Sequence, residues 1–143
     1  MKYKIVIDPD FEDGITVHAR ERSEILDNIE ALLSGGCDDV FGYTGEEIVK
    51  LDVRNVECFT VEDGKVYALC DGVRYSVKER LYQLEERFAS SFMKINQSCI
   101  VNERKIARFK SSIGGALMIV TKGGYTDYIS RRQLKFVKER MGF

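Results

Sequence analysis

Hydrophobic residues recur along this chain with two different periods, and the change between them divides it. Near the start, Lys4-Ile5-Val6-Ile7 is short and apolar. An acidic turn follows from Pro9 to Gly14, and Ile15-Thr16-Val17-His18-Ala19 then alternates as a half-buried strand does. Ser23 is placed to cap a helix whose apolar face is Ile25, Ile29, Leu32 and Leu33. Gly35-Gly36 would stop that helix, because glycine takes the left-handed conformation a helix end often needs. Residues 1–36 therefore predict a small β-β-α segment, with the apolar helix face packed on its own strands or offered to a partner.

From about Asp39 the texture becomes short strands separated by glycine turns. The pattern predicts strands over residues 39–43, 47–53, 55–61, 65–70, 73–75, 99–101, 106–112, 116–121 and 125–129. Thr44-Gly45, Asp63-Gly64, Asp71-Gly72, Gly114-Gly115 and Gly123-Gly124 supply the turns. Connections this short favour an antiparallel meander over a parallel sheet. No repeat or low-complexity segment interrupts it. The predicted class is mainly β, α+β when the helices are included.

Two helices break the β region. Ser76-Val77-Lys78-Glu79 fits a capping box, after which Leu81, Leu84 and Phe88 recur at helical spacing. Ser130-Arg131-Arg132-Gln133 fits a second, opening a helix with Leu134, Val137 and Met141 inward and Arg131, Arg132, Lys135 and Lys138 outward. Cations in a first turn oppose the helix dipole. Two adjacent arginines there suggest that an outside anion, such as a phosphate, offsets the cost.

Charge sharpens that suggestion. The net charge is −1 over 143 residues, but residues 1–64 hold 6 Lys/Arg against 16 Asp/Glu, while residues 65–143 hold 16 against 7. Such asymmetry is expected where one part meets a polyanion. The chain turns acidic before any apolar run develops at its start, and no apolar stretch approaches the roughly 18 residues of a membrane span. A soluble cytoplasmic protein is expected.

Catalytic and metal chemistry find little support. Cys37, Cys58, Cys70 and Cys99 form no CxxC pair, and His18 is the only histidine, so no zinc ligand set is recognisable. Three of the cysteines sit among strand-like apolar residues and read as small buried hydrophobes. The acidic pairs Asp38-Asp39 and Glu46-Glu47 lie beside turn signals with no nucleophile–base pair near them, so they read as solvated turn residues. No enzyme, cofactor or small-molecule substrate is predicted.

The segment Phe92-Met93-Lys94-Ile95-Asn96-Gln97-Ser98-Cys99-Ile100-Val101-Asn102 is polar where a strand should start, then apolar, and ends on an asparagine able to cap a turn. It resembles the signature of the LytTR DNA-binding domain, with Phe92, Lys94, Gln97, Ser98, Val101 and Asn102 in the expected places. Asn96 stands where histidine is usual. Ser130-Arg131 matches the family's Ser-Arg pair at the start of the last helix, and the resemblance spans residues 39–143.

That resemblance implies an elongated antiparallel β domain that reads double-stranded DNA through loops. Carried over residue by residue, base contacts fall near Lys65, at Gln97 with Asn96 beside it, and at Arg131. Arginine suits guanine and a side-chain amide suits adenine in the major groove. Lys94, Lys122 and Arg132 read as phosphate contacts. Residues 1–36 are too few for a doubly wound receiver. The chain resembles stand-alone members, which work with an inhibitory membrane protein or form homodimers. The competing expectation is a protein-interaction module whose basic face docks an acidic partner, with the acidic N-terminal segment as an internal DNA mimic.

Overall fold

A computed structural model of the chain describes residues 4–10, 15–33 and 39–143. Its contacts fall into two compact units, Met1–Gly36 and Cys37–Phe143.

In the first unit the regular element among the described residues is helix α1 (Glu24–Leu33). Ser23 caps it as its position predicts, its Oγ accepting from the Leu26 N–H at 3.4 Å. Glu24 and Asp27 place acidic charge in the first turn, where the helix dipole favours it. Arg22 reaches over this turn to Asp27 at 2.9 Å and to Glu30. The two expected strands do not form. Residues 4–8 and 15–19 enter no ladder, and Ile5, Val6, Ile7 and Ile15 are all exposed. A strand is held only when a neighbour takes up its backbone groups, and no described residue of the chain does so here. The Gly35-Gly36 stop and part of the acidic turn lie outside the described residues, as does Cys37.

The second unit is built from ten strands. Seven form one sheet: β1 (Asp39–Tyr43), β2 (Ile48–Asp52), β3 (Val56–Glu62), β4 (Lys65–Cys70), β5 (Val73–Val77), β6 (Phe92–Asn96) and β7 (Cys99–Asn102). Their order is β2-β1-β5-β4-β3-β7-β6, so β6 is an edge. A second sheet holds β8 (Ile106–Ser111), β9 (Leu117–Thr121) and β10 (Thr126–Tyr128), in the order β10-β9-β8. Every pairing is antiparallel. Helix α2 (Leu81–Arg87) sits between β5 and β6 in the chain, and α3 (Arg131–Met141) follows β10. No two helices among the described residues are consecutive, so none forms a helix-turn-helix.

Alternation in the central strands sends side chains to two cores. One face of the large sheet meets α2, where Leu84 and Phe88 pack with Phe59, Phe92 and Ile100. The three phenylalanines form a cluster, with ring centroids 5.2 to 6.3 Å apart. The opposite face carries Cys58, Met93, Ile95, Cys99 and Val101 against Ile119 of the small sheet, Ile129 and Val137 of α3. Cys58, Cys70 and Cys99 are buried, free thiols.

Two further expectations change. Ser76 and Glu79 do not open a helix: Ser76 belongs to β5, and its hydroxyl donates to the Tyr43 carbonyl at 3.3 Å. Instead α2 starts one turn later, with Gln83 Oε1 accepting from the Arg80 N–H at 2.9 Å. At α3, Ser130 occupies the cap position, yet its side chain makes no cap hydrogen bond, so the second predicted box is a position without its bonds.

Asn102 has a clear structural task. Its Oδ1 accepts from the Arg104 N–H at 3.1 Å, capping a 3-10 turn over Glu103–Lys105. Its Nδ2 donates to the carbonyls of Val56 at 2.9 Å and Arg54 at 3.3 Å, at the end of another 3-10 turn that Asp52 caps in the same way. One buried amide thus joins the end of β7 to the 3-10 turn between β2 and β3 and to the start of β3.

Candidate nucleic-acid interface

The candidate surface is assembled around the hairpin of β6 and β7, which the sequence pattern left as an irregular segment. Its two-residue turn is Gln97-Ser98. The register slips between Lys94 and Asn96, a bulge that leaves Ile95 unpaired and brings Asn96 opposite Cys99. The extra residue sends both Ile95 and Asn96 toward the small-sheet side. Ile95 enters the second core, and Asn96 is only 2% exposed.

Every hydrogen-bonding group of the Asn96 side chain except one lone pair is accounted for there. Nδ2 donates to the Tyr128 carbonyl at 2.9 Å and to Asp127 Oδ1 at 3.2 Å. Oδ1 accepts from the Ser98 N–H at 2.8 Å, closing the turn. Asp127 is itself held, accepting from the Tyr125 hydroxyl at 2.7 Å and from the Tyr128 N–H at 2.8 Å. Two residues on from Tyr128, the Ser130 N–H donates to the Ile95 carbonyl at 2.8 Å, which fixes the start of α3 against β6. The turn bearing Gln97 and the helix start bearing Arg131 are therefore tied by the same set of bonds. This corrects one sequence expectation. Asn96 is not available to a base, because its amide is committed inside the domain.

The β3–β4 hairpin ends at the same place. The Val61 N–H donates to the Ser98 carbonyl at 2.8 Å, one step beyond the Thr60–Cys99 pairing. Glu62 and Lys65 then face each other across Asp63-Gly64, whose positive φ values of 51° and 73° give the tight turn. Lys65 at the β3–β4 turn, Gln97 at the β6–β7 turn and Arg131 at the first position of α3 are thus carried by elements that these hydrogen bonds connect, and all three are exposed. Among the described residues, none of them enters an ion pair.

The expected phosphate residues divide. Arg132 is exposed beside Arg131, and α3 has no acidic residue in its first turn, so its N-terminal positive charge is uncompensated from within. Lys94 lies half-buried on the edge strand. Lys122 is not gathered with the others: its N–H donates to the Lys105 carbonyl at 2.7 Å, beyond the far end of β7 from Gln97. A further group of cations escaped the sequence pattern. Arg74, Lys78 and Arg80 line an open concavity of about 780 Å³ together with Lys65, between Tyr43 and Tyr67. Lys78 and Arg80 were hidden because Ser76–Glu79 reads as a helix start. The Arg74 guanidinium lies 3.8 Å from the Tyr67 ring centre and pairs with Glu62, whereas Lys78 lies over Tyr43 at 4.7 Å.

Two groups below this surface, Tyr125 and Cys99, hold their protons more strongly than usual. Burial, with Cys99 and Asp127 nearby, pushes the Tyr125 phenol well above its ordinary value, so it stays a donor to Asp127. A hydrogen bond with Cys58, together with burial, raises the Cys99 thiol in the same direction. Among the described residues, no group of three or more His, Cys, Asp or Glu side chains could hold a metal ion, and no helix is long and apolar enough to cross a membrane.

Comparison with known proteins places this architecture. Residues 46–142 match the family model of the LytTr DNA-binding domain. Two uncharacterized HTH-type transcriptional regulators of Staphylococcus aureus, from strains NCTC 8325 / PS 47 and COL, are each 30% identical over 135 residues, covering 91% of this chain and 90% of theirs. A solved LytTr DNA-binding domain from Bacillus cereus superposes with a TM-score of 0.71 at 19% identity, over 76% of this chain and all of that one. The chain belongs to the LytTr DNA-binding domain family.

Proposed function

We propose that this chain is a bacterial, cytoplasmic transcription regulator that binds double-stranded DNA sequence-specifically and performs no catalysis. The observation that carries the reading is the meeting of Lys65, Gln97 and Arg131 on three turns locked to one another by backbone and Asn96 hydrogen bonds. Loops are a poor platform for reading bases unless something fixes them. Here the amide at the centre of these bonds, Asn96, is buried while Lys65, Gln97 and Arg131 are exposed, the arrangement a preformed site needs.

Each residue takes the role its chemistry allows. Arg131 donates two parallel hydrogen bonds to guanine O6 and N7 in the major groove, and the Gln97 amide pairs with adenine N6 and N7. Lys65 contributes a single charged donor to guanine or to the adjoining backbone. Arg132, with the open N-terminal turn of α3, holds a phosphate, which fixes register without reading sequence. Lys94 and Lys122 serve flanking phosphates. Asn96 positions and does not read.

Retention on duplex DNA at increasing salt separates this reading from its competitor. A specific duplex should survive to higher salt than a scrambled one of equal length, with affinity for both falling log-linearly as salt rises. Equal retention of the two duplexes would leave only a basic face for an acidic partner.

A further inference from the structure

The register of the large sheet brings a second set of turns to the end that carries Lys65 and Gln97. Tyr43 on β1 pairs with Ser76 on β5, Ser76 with Tyr67 on β4, and Thr60 on β3 with Cys99 on β7. The turn over residues 44–47, the chain leaving β5 at Lys78, the Asp63-Gly64 turn and the Gln97-Ser98 turn therefore follow one another along that end. Neighbouring strands lie about 4.8 Å apart, so the row runs roughly 14 Å from β7 to β5. Tyr43, Ser76 and Tyr67, side by side on three strands, line the open concavity found there.

Its cations are not balanced from within. Lys65 and Lys78 are the next residues beyond the Val66–Val77 pair, so two like charges stand at the end of one ladder, with Arg80 two residues on. Like charges across a ladder are destabilising. Lys65, Lys78 and Arg80 are all exposed, and among the described residues none of them enters an ion pair. The two nearest acids are engaged elsewhere: Glu79 pairs with Arg87 at 2.7 Å, and Glu62 with Arg74. Lys78 is steadied over the Tyr43 ring, which positions its charge without neutralising it. The concavity is lined by no Asn or Gln, the side chains that suit adenine, whereas lysines and hydroxyls suit phosphate oxygens. Beyond Gly45 the basic row ends, because the exposed Glu46 and Glu47 follow in the same turn.

We infer that Lys78 and Arg80, linked to the reading residues through Lys65, are a phosphate-binding extension that grips the duplex backbone beyond the bases read by Gln97 and Arg131. The inference rests on the DNA reading above and gives a partner to charges that reading leaves unused. The duplex axis follows the row of turns. Each strand advances about 3.4 Å per nucleotide, so the grip falls about four base steps from the position Gln97 reads. It fixes register and adds affinity, and it carries no sequence information.

The test measures binding of the full chain to a duplex carrying its selected site and to a scrambled duplex of equal length, across a salt series. Urea midpoints of each variant confirm that binding is read on folded protein. Lys78→Gln and Arg80→Gln should each weaken both duplexes by the same factor, roughly fivefold to tenfold at about 0.1 M salt, and lower the salt slope by about 0.9, the contribution of one phosphate. The ratio between the two duplexes should stay that of the parent. Lys78→Arg, which keeps the charge, should keep the parent's slope. Hydroxyl-radical footprinting of the parent should show a protected backbone patch about four base steps outside the position Gln97 reads, and both glutamine variants should lose it. Unchanged slopes in those variants, with the parent still preferring its site, would overturn the extension and leave the DNA reading standing. A fall in the ratio between the duplexes would also overturn it, by making the concavity a reader of bases. A parent without preference for any site, whose variants nevertheless lose slope, would sink the sequence-specific reading and keep the phosphate contact.

Discussion

The Asn96 side chain donates to the Tyr128 backbone carbonyl at 2.9 Å, joining the edge hairpin of the large sheet to the last strand of the small one. One residue, Ile129, separates Tyr128 from Ser130 at the cap of α3, and Asn96 directly precedes Gln97. This single amide therefore stands between two exposed groups that are far apart in sequence.

Replacing Asn96 should accordingly harm both fold and binding. Asn96→Ala leaves the Tyr128 carbonyl and the Ser98 N–H without their partner, a loss of about 1–3 kcal/mol in urea unfolding. DNA affinity measured well below the unfolding midpoint should fall as well, because Gln97 and Arg131 lose their fixed spacing. Asn96→His should behave like Asn96→Ala. An unchanged unfolding midpoint would show that the bonds of Asn96 are dispensable.

Gly123 reports on the other end of the small sheet. A Cβ there would run into the end of the Glu57 side chain, so the buried carboxylate, which accepts from the Thr121 hydroxyl at 3.2 Å, would have to shift. Gly123→Ala should cost about 1–3 kcal/mol. The cost should shrink in a Glu57→Ala background, where the space is empty. Equal costs in both backgrounds, measured as a double-mutant cycle, would contradict this account of the glycine.

Tyr125 gives a pH signature. Its ordinary pKa is 10.0 and burial raises it in the folded chain, so below that value the phenol is neutral in both states and its contribution is fully present. Above about pH 10 the unfolded chain releases the proton while the folded chain keeps it, and stability falls with rising pH. Urea midpoints at pH 7 and pH 10.5 should drop further for the parent than for Tyr125→Phe. Equal drops would mean that Tyr125 is solvated.

The strands between glycine turns were legible in the sequence because period-two alternation and turn chemistry agreed, as in β4 and β9. Helix α3 was legible through Leu134, Val137 and Met141, which do pack inward. Strand β6 was not. Its bulge puts consecutive residues, Ile95 and Asn96, on one side and breaks the alternation that marks a strand. The start of α2 was misplaced because Ser76 and Glu79 have the right types for a cap, while the ladder to β4 claims Ser76 first. At the site, Lys65, Gln97 and Arg131 could be named from motif positions. That Asn96 lies beneath them could not, since burial of a polar residue depends on the partners that tertiary packing brings, here Asp127 and Tyr128. The N-terminal strands show the converse: their pattern is strand-like, but a pattern alone supplies no neighbour.

The central claim, that three turns read DNA as one preformed surface, is tested most directly by selecting bound sequences from a random duplex pool. The parent would be compared with Lys65→Ala, Gln97→Ala and Arg131→Ala. The parent should enrich a defined site. Arg131→Ala and Gln97→Ala should each lose preference at its own base position, by about 1–3 kcal/mol, while keeping the rest of the site. Lys65→Ala should alter a third position or weaken the flank beside it. Uniform weakening by all three variants, with the enriched site unchanged, would contradict the claim and reduce these residues to phosphate contacts.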